Sequence, residues 1–289
     1  MSHFLLLLFL GSLAASNHAG SQESALKKDT LNVHGGTIYY ESLGEGQPLI
    51  LIHGALGDRR MWDEQLQAFA AEFRVIRYDH RGFGRSSIPQ ESYSPVADLL
   101  QLLDKLGISR AHLVGNSLGG SLAIDFALTH PERVASLVLV ASGPNGYPVP
   151  QEDVGRVVAV FKAAEVGGLQ KAVRLWLAHP MVAVSSKRRG VRERLRTMVT
   201  ENSKIFRMKD WPSEHMESPA ATRLKEIHVP TLVIIGGKDT PLTQMMASET
   251  SGQIAGAIKI EMPEADHLPQ MVDPATFNRH VLRFLRSLR

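Results

Sequence analysis

The sequence predicts an α/β protein: a mostly parallel central sheet flanked by helices, with a helical cap inserted late in the chain. Three observations carry this. Short apolar runs such as QPLILIHG, FRVIRYD, AHLVGN and PTLVIIGG alternate with segments of helical spacing, the pattern of strands covered on both faces. Between Gly143 and Val229 the alternation stops, and helical patterns continue without a strand. Gly115-Asn116-Ser117-Leu118-Gly119 stands between an apolar run and a helix-like stretch, which places the serine on a sharp strand-to-helix turn.

Taken in order, the first residues join an apolar core from Phe4 to Leu10 to small residues, as in a secretory signal peptide. Residues 1–19 are assigned to it, with cleavage between Ala14 and Ala19. The apolar core is too short to span a bilayer comfortably, so processing would give an exported protein, periplasmic or secreted, with no stable membrane insertion; the alternative, raised by the absence of Lys or Arg before Phe4, is a mis-assigned start and a cytoplasmic protein. LNVHGGTIYYESLG then reads as two strands turned at Gly35-Gly36, and QPLILIHG as a buried strand ending at His53-Gly54. MWDEQLQAFAAEF has helical spacing, FRVIRYD is the next strand, and SPVADLLQLLDKLG is a helix closed by Gly107. AHLVGN leads into Ser117, followed by a helix from Leu118 to about His130 that Pro131 stops. RVASLVLVAS, PTLVIIGG and AIKIEMP are further strands, and DPATFNRHVLRFLRSLR is a terminal helix. Residues 20–142 and 230–289 thus form the core, and residues 143–229 the cap. The cap's basic run from Lys187 to Arg196 is interrupted by Glu193 and reads as a solvated helix face.

Composition narrows the partners. With 44% hydrophobic and 21% charged residues the chain is an ordinary globular protein, and a net charge of +3 spread among interleaved acids gives no nucleic-acid surface. The absence of cysteine excludes disulfides and thiolate metal sites. The sequence defines no oligomeric state.

Gly-x-Ser-x-Gly recurs by chance in on the order of one chain in ten of this length, but here several motifs agree. Their order resembles the α/β-hydrolase family from about Leu31 to Arg289. That family's catalytic triad runs Ser, Asp or Glu, then His. The resemblance implies Ser117 as nucleophile, Asp239 in GGKDTPL as acid and His267 in EADHLP as base, each just past a strand's carboxyl end. The chemistry requires all three: a serine hydroxyl needs a base to take its proton, and a buried carboxylate fixes the imidazole tautomer and stabilises the imidazolium. RVASLVLVAS ends without a carboxylate, so Asp239 has no rival there. Asp266 and His280 read as structural. His53-Gly54 resembles the family's oxyanion loop, which implies that the backbone N–H groups of Ala55 and Leu118 hold the developing oxyanion while His53 supports the loop. Tyr78-Asp79-His80-Arg81-Gly82 resembles a family turn braced by its Asp and Arg, and the glycine spacing of RGFGRS fits neither phosphate-binding fingerprint. Neither a cofactor nor a metal is implied.

Serine rather than aspartate in the turn argues against the dehalogenase and epoxide-hydrolase branches. HGALGDRRMWDEQL with FRVIRYDHRGFGRSS is similar to small carboxylesterases and 3-oxoadipate enol-lactonases. GNSLGG is also similar to carbon–carbon bond hydrolases of aromatic catabolism, although those carry more glycine and a proline after His-Gly. The expected activity is hydrolysis of a small or medium carboxylic ester or lactone through an acyl-enzyme. The alternatives are a carbon–carbon hydrolase, a perhydrolase-type haloperoxidase, and a hydrolase-like protein that captures a ligand without turnover. Within the cap, Trp176 and Trp211 are the large apolar side chains expected either to set substrate preference or to form plain core.

Overall fold

The strands are β1 (Lys27–Val33), β2 (Gly36–Leu43), β3 (Pro48–Ile52), β4 (Arg74–Tyr78), β5 (Ala111–Asn116), β6 (Val134–Val140), β7 (Thr231–Gly236) and β8 (Ile258–Met262). They form one sheet in the order β1-β2-β4-β3-β5-β6-β7-β8. This computed structural model describes residues 25–207 and 218–289, so the leader and Trp211 lie outside the described residues. β1 and β2 form an antiparallel hairpin whose turn uses Gly35 at φ 72°, and β2 meets β4 antiparallel. From β4 to β8 every pairing is parallel, so six strands deliver their carboxyl ends to one edge.

The helices are α1 (Asp63–Ala70), α2 (Pro95–Lys105), α3 (Leu118–Thr129), α4 (Gln151–Gly167), α5 (Leu169–Leu177), α6 (Arg189–Glu201), α7 (Pro241–Gln253), α8 (Pro269–Val272) and α9 (Pro274–Arg286). Successive strand residues point to opposite faces, and each face buries its own cluster. Leu49, Leu51, Val114 and Ile234 pack with α1 and α9, and Ile50, Ile52, Leu113 and Val233 pack with α2 and α3. α9 shows why it docks: Phe277, Val281, Phe284 and Leu285 are buried at helical spacing, and Phe277 meets Trp62 at 6.2 Å between ring centres. No helix among the described residues is long and apolar enough to cross a membrane.

Three elements depart from the sequence reading: β8, α7 and the four-residue α8, which the sequence reading left unassigned before its terminal helix. β8 lies at the sheet edge with only Met262 fully buried, so Lys259 and Glu261 face water where a strand covered on both faces was expected. α7 has no counterpart in the sequence reading, because PLTQMMASETSGQ carries no apolar stripe; Thr240 caps it, its hydroxyl accepting from Thr243 N–H at 3.3 Å.

Between β6 and β7 the described residues contain α4 to α6 and short 3-10 turns but no strand. Their apolar residues Val160, Val173, Trp176 and Leu195 join the cluster under β3, β5 and β7. The end of the insertion is tied down by polar contacts. Asn202 Nδ2 donates to Asp58 Oδ2 at 2.9 Å, its Oδ1 accepts from Gly84 N–H at 2.5 Å, and Lys204 Nζ donates to the carbonyls of Gly84 and Ser86. Burial alone would raise the Asp58 carboxyl, but its bonds and charge pairing with Arg60 hold it down at about 2, so it remains an anion for these contacts.

Candidate active site

Ser117 is the residue between β5 and α3, and it sits at φ 51° and ψ −117°, a conformation ordinary L-residues avoid. The surrounding glycines make this turn possible. A Cβ on Gly119 would stand 2.3 Å from the Ile52 carbonyl oxygen, and one on Gly115 would stand 2.3 Å from the Gly119 carbonyl oxygen. No larger residue fits at either place, which accounts physically for the Gly-x-Ser-x-Gly spacing. Because Leu118 is the first residue of α3, its N–H has no acceptor within the helix. The Gly54 Cβ position is 3.2 Å from the Ser117 Cβ, which brings the His53–Ala55 loop against the turn and leaves Ala55 exposed beside it.

Asp239 and His267 meet although 28 residues separate them: His267 Nδ1 donates to Asp239 Oδ2 at 2.8 Å. Both side chains are buried. The other carboxylate oxygen of Asp239 accepts from Thr240 N–H at 2.7 Å, and Gln244 holds the loop by donating to the carbonyls of Gly237 and Asp239. Burial alone would depress the imidazolium, but Asp239's charge and hydrogen bond, with the charge of Asp266, raise His267 above the ordinary histidine value. With Nδ1 engaged, Nε2 is the ring nitrogen available to receive a proton.

Asn116 links this pair to the serine. Its Nδ2 donates to the His267 carbonyl at 3.0 Å and to the Val140 carbonyl at 3.2 Å, so the residue before Ser117 is bonded to the residue that carries the imidazole. The sequence reading did not single out Asn116. Its only signal is a fully buried polar residue at the last position of an apolar strand.

Asp266 belongs to a different structure from its neighbour. It is fully buried, and its Oδ2 accepts from Val184 N–H at 2.9 Å and Ser185 N–H at 2.7 Å. Its Oδ1 accepts from the Ser185 hydroxyl at 2.5 Å and from Leu268 N–H at 3.2 Å. The insertion is thereby pinned to the His267 loop, and His267 N–H adds a bond to the Met181 carbonyl at 3.1 Å.

His53 supports its loop. Its Nε2 accepts from His80 N–H at 3.0 Å, so the proton is on Nδ1, which donates to the Gly54 carbonyl at 2.8 Å. Burial lowers its basicity and keeps the ring neutral. His80 is pushed well below the usual range by burial and by His53, and its Nε2 donates to the His53 carbonyl at 3.2 Å. Asp79 braces the next turn by accepting from Arg59 N–H at 2.9 Å and Arg85 N–H at 2.8 Å, while Arg81 pairs with Asp98. His280 lies on α9.

A sheet with this strand order, a strained serine turn after β5 and an Asp–His pair after β7 and β8 defines the class. Residues 47–274 match the model of the alpha/beta hydrolase fold family, and the chain belongs to that family and is a hydrolase. Among curated proteins it is 32% identical over 282 residues to a 2-hydroxy-6-oxononadienedioate/2-hydroxy-6-oxononatrienedioate hydrolase of Burkholderia vietnamiensis, covering 91% of this chain and 97% of that one. Among solved structures it resembles an N-acyl homoserine lactone degrading enzyme (TM-score 0.73, 29% identity), covering 89% of this chain and 100% of that one. It also resembles the enol-lactonase of Burkholderia xenovorans (TM-score 0.77, 26% identity), with the same two coverages of 89% and 100%.

Proposed function

We propose that this protein is a serine hydrolase that cleaves a small or medium carboxylic ester or lactone through an acyl-enzyme, with Ser117, Asp239 and His267 as its triad. The observation that carries this reading is the 2.8 Å bond from His267 Nδ1 to Asp239, which leaves Nε2 for the proton of a serine held in a strained turn one residue from Asn116. In acylation the Ser117 oxygen forms a bond to the substrate carbonyl carbon while its proton passes to His267 Nε2. The negative charge that develops on the carbonyl oxygen is stabilised by the N–H groups of Ala55 and Leu118. Collapse breaks the bond to the leaving oxygen, which takes the proton from His267. Water then repeats the sequence, giving up a proton to His267 and releasing the acid and free Ser117. The Asp239 carboxylate accepts from Nδ1 throughout and stabilises the imidazolium.

The N-acyl homoserine lactone degrading enzyme and the enol-lactonase among the solved relatives support ester and lactone chemistry. A second reading, hydrolysis of a carbon–carbon bond next to a ketone, is favoured by the dienedioate hydrolase relative. His-Gly-Ala-Leu-Gly after β3, without the proline and additional glycine of that branch, favours the ester reading. We also propose that the leader directs export. The test of function is turnover of a graded ester and lactone series: Ser117→Ala should fold normally and lose about 10⁴-fold or more in kcat. A fluorophosphonate should label Ser117, and more than one equivalent of product per chain separates an enzyme from a ligand-capturing protein. Activity retained in Ser117→Ala refutes the assignment.

A further inference from the structure

The segment that Asp266 pins against the His267 loop carries three buried groups without a partner among the described residues, Trp176 Nε1, His179 Nε2 and Ser186 Oγ, and the rings of the first two lie together. His179 is 7% exposed, and its Nδ1 accepts from Met181 N–H at 3.3 Å. Burial, with the charges of His267 and Arg156, lowers its pKa against the opposing charges of Asp153 and Asp239, so the ring is neutral at pH 7. A neutral imidazole that accepts at Nδ1 carries its proton on Nε2. That Nε2–H has no hydrogen-bond partner among the described residues. The same is true of Trp176 Nε1–H, also buried, on a ring 5.4 Å from that of His179. Buried donors are nearly always paired, so adjacent orphans beside a reaction centre call for a partner from outside the protein. Trp62 Nε1 is also unpaired, but it packs near Phe277 of α9.

The position of the pair says which part of a substrate it meets. The Met181 carbonyl accepts from His267 N–H, and His179 stands two residues before Met181. His267 returns its proton to the leaving oxygen, so the departing group lies on the side of this imidazole. The oxyanion donors, Ala55 and Leu118, belong to β3's loop and α3 instead.

Resting on the reading of Ser117 as the nucleophile of an ester or lactone hydrolase, we propose that His179 Nε2–H and Trp176 Nε1–H form a subsite for an oxygen acceptor on the leaving portion of the substrate. Substrates whose alcohol part bears a carbonyl or carboxylate oxygen are then preferred over hydrocarbon alcohols of the same size. His179 and Trp176 are specificity residues and take no part in proton transfer.

The experiment holds the acyl group constant as acetate and varies the alcohol: propyl acetate, acetoxyacetone and O-acetylglycolate, followed by acid release. The quantity read is the kcat/KM ratio of each oxygen-bearing ester to propyl acetate, compared between wild type and variant so that intrinsic leaving-group reactivity cancels. His179→Phe, which keeps a ring and removes the donor, should lower that ratio about ten-fold or more for at least one of the two oxygen-bearing esters, chiefly through KM. Trp176→Phe should act in the same direction, and His179→Gln, which retains an N–H donor, should restore part of the preference. The two oxygen-bearing arms identify whether a neutral carbonyl or a carboxylate is the occupant. Ratios unchanged in folded His179→Phe and Trp176→Phe overturn the subsite while leaving Ser117 chemistry intact. If the wild type hydrolyses none of the three esters, calorimetry on Ser117→Ala decides: tighter binding of an oxygen-bearing ester than of propyl acetate, lost on adding His179→Phe, supports the subsite, and equal binding overturns it.

Discussion

Asp266 and Asp239 both bear on the His267 loop, and replacing each separates a structural carboxylate from the proposed catalytic one. Asp266→Ala removes the acceptor of Val184 N–H, Ser185 N–H, the Ser185 hydroxyl and Leu268 N–H in one step. The hydroxyl can rotate to another partner, but the three backbone donors cannot. At about 1–3 kcal/mol for each buried orphan, and with water able to enter the vacated space, a net loss of about 3–5 kcal/mol is expected, a large share of the roughly 5–15 kcal/mol that holds a domain folded. Asp266→Asn is milder. An amide oxygen in place of Oδ2 keeps the bonds from Val184 and Ser185, the amide NH₂ can donate to the Ser185 hydroxyl, and only the Leu268 bond is lost, for about 1 kcal/mol. The charge is lost as well. Since Asp266 helps to raise His267, the acid limb of kcat/KM in Asp266→Asn should move to lower pH while kcat at its plateau falls less than about ten-fold. Asp239→Asn, by contrast, keeps an amide oxygen for Thr240 N–H but turns its NH₂ toward His267 Nδ1, which selects the wrong imidazole tautomer and should cost about 10⁴-fold in kcat with little change in stability. Urea unfolding and aryl acetate pH profiles on the three variants give all the quantities. If Asp266→Asn is the inactive variant and Asp239→Asn the active one, the roles are reversed and the reasoning fails.

With neutral His267 as the proposed base and its pKa raised above the ordinary histidine value, wild-type kcat/KM should be lost as pH falls through an apparent pKa above 6.5; a midpoint below that contradicts the electrostatic account. Gly119→Ala places a methyl 2.3 Å from the Ile52 carbonyl oxygen, so it should unfold the protein or push β3 away from the turn, seen as a Tm lowered by several degrees together with lost activity; a stable, active Gly119→Ala would refute the packing argument. Asn116→Ala should leave Ser117 reactive to a small fluorophosphonate but slow kcat about ten-fold or more, since the tie to the His267 carbonyl is gone; unchanged kcat would show that this bond does not align the base. The intact mass of the protein purified from its native host should correspond to a chain starting between Ala15 and Gly20, and a chain retaining Phe4 to Leu10 would refute export.

Local signals were enough to read most of the strands from the sequence. β3, β5 and β7 are apolar runs because they are covered on both faces, and the glycines around Ser117 are legible because a Cβ at either position would collide with backbone. The candidate triad could be ranked by order and by position after strands, since parallel strands must deliver their following loops to one edge. What the sequence could not contain is the meeting of loops far apart along it. Asp266 and Asp239 are both acids beside turns, and only the fold directs one to His267 Nδ1 and the other to the backbone of Val184 and Ser185. Asn116 carried no reading from the sequence, yet it bonds a carbonyl 151 residues away. Edge placement left β8 exposed, and α7 formed without an apolar stripe by docking on β7. Trp176 and His179 were a cap aromatic and one histidine among 12; their unpaired N–H groups exist only once burial has removed water from both. Hydrophobic period and backbone sterics are written locally, whereas hydrogen-bond partners and desolvation depend on which distant segments the sheet brings together.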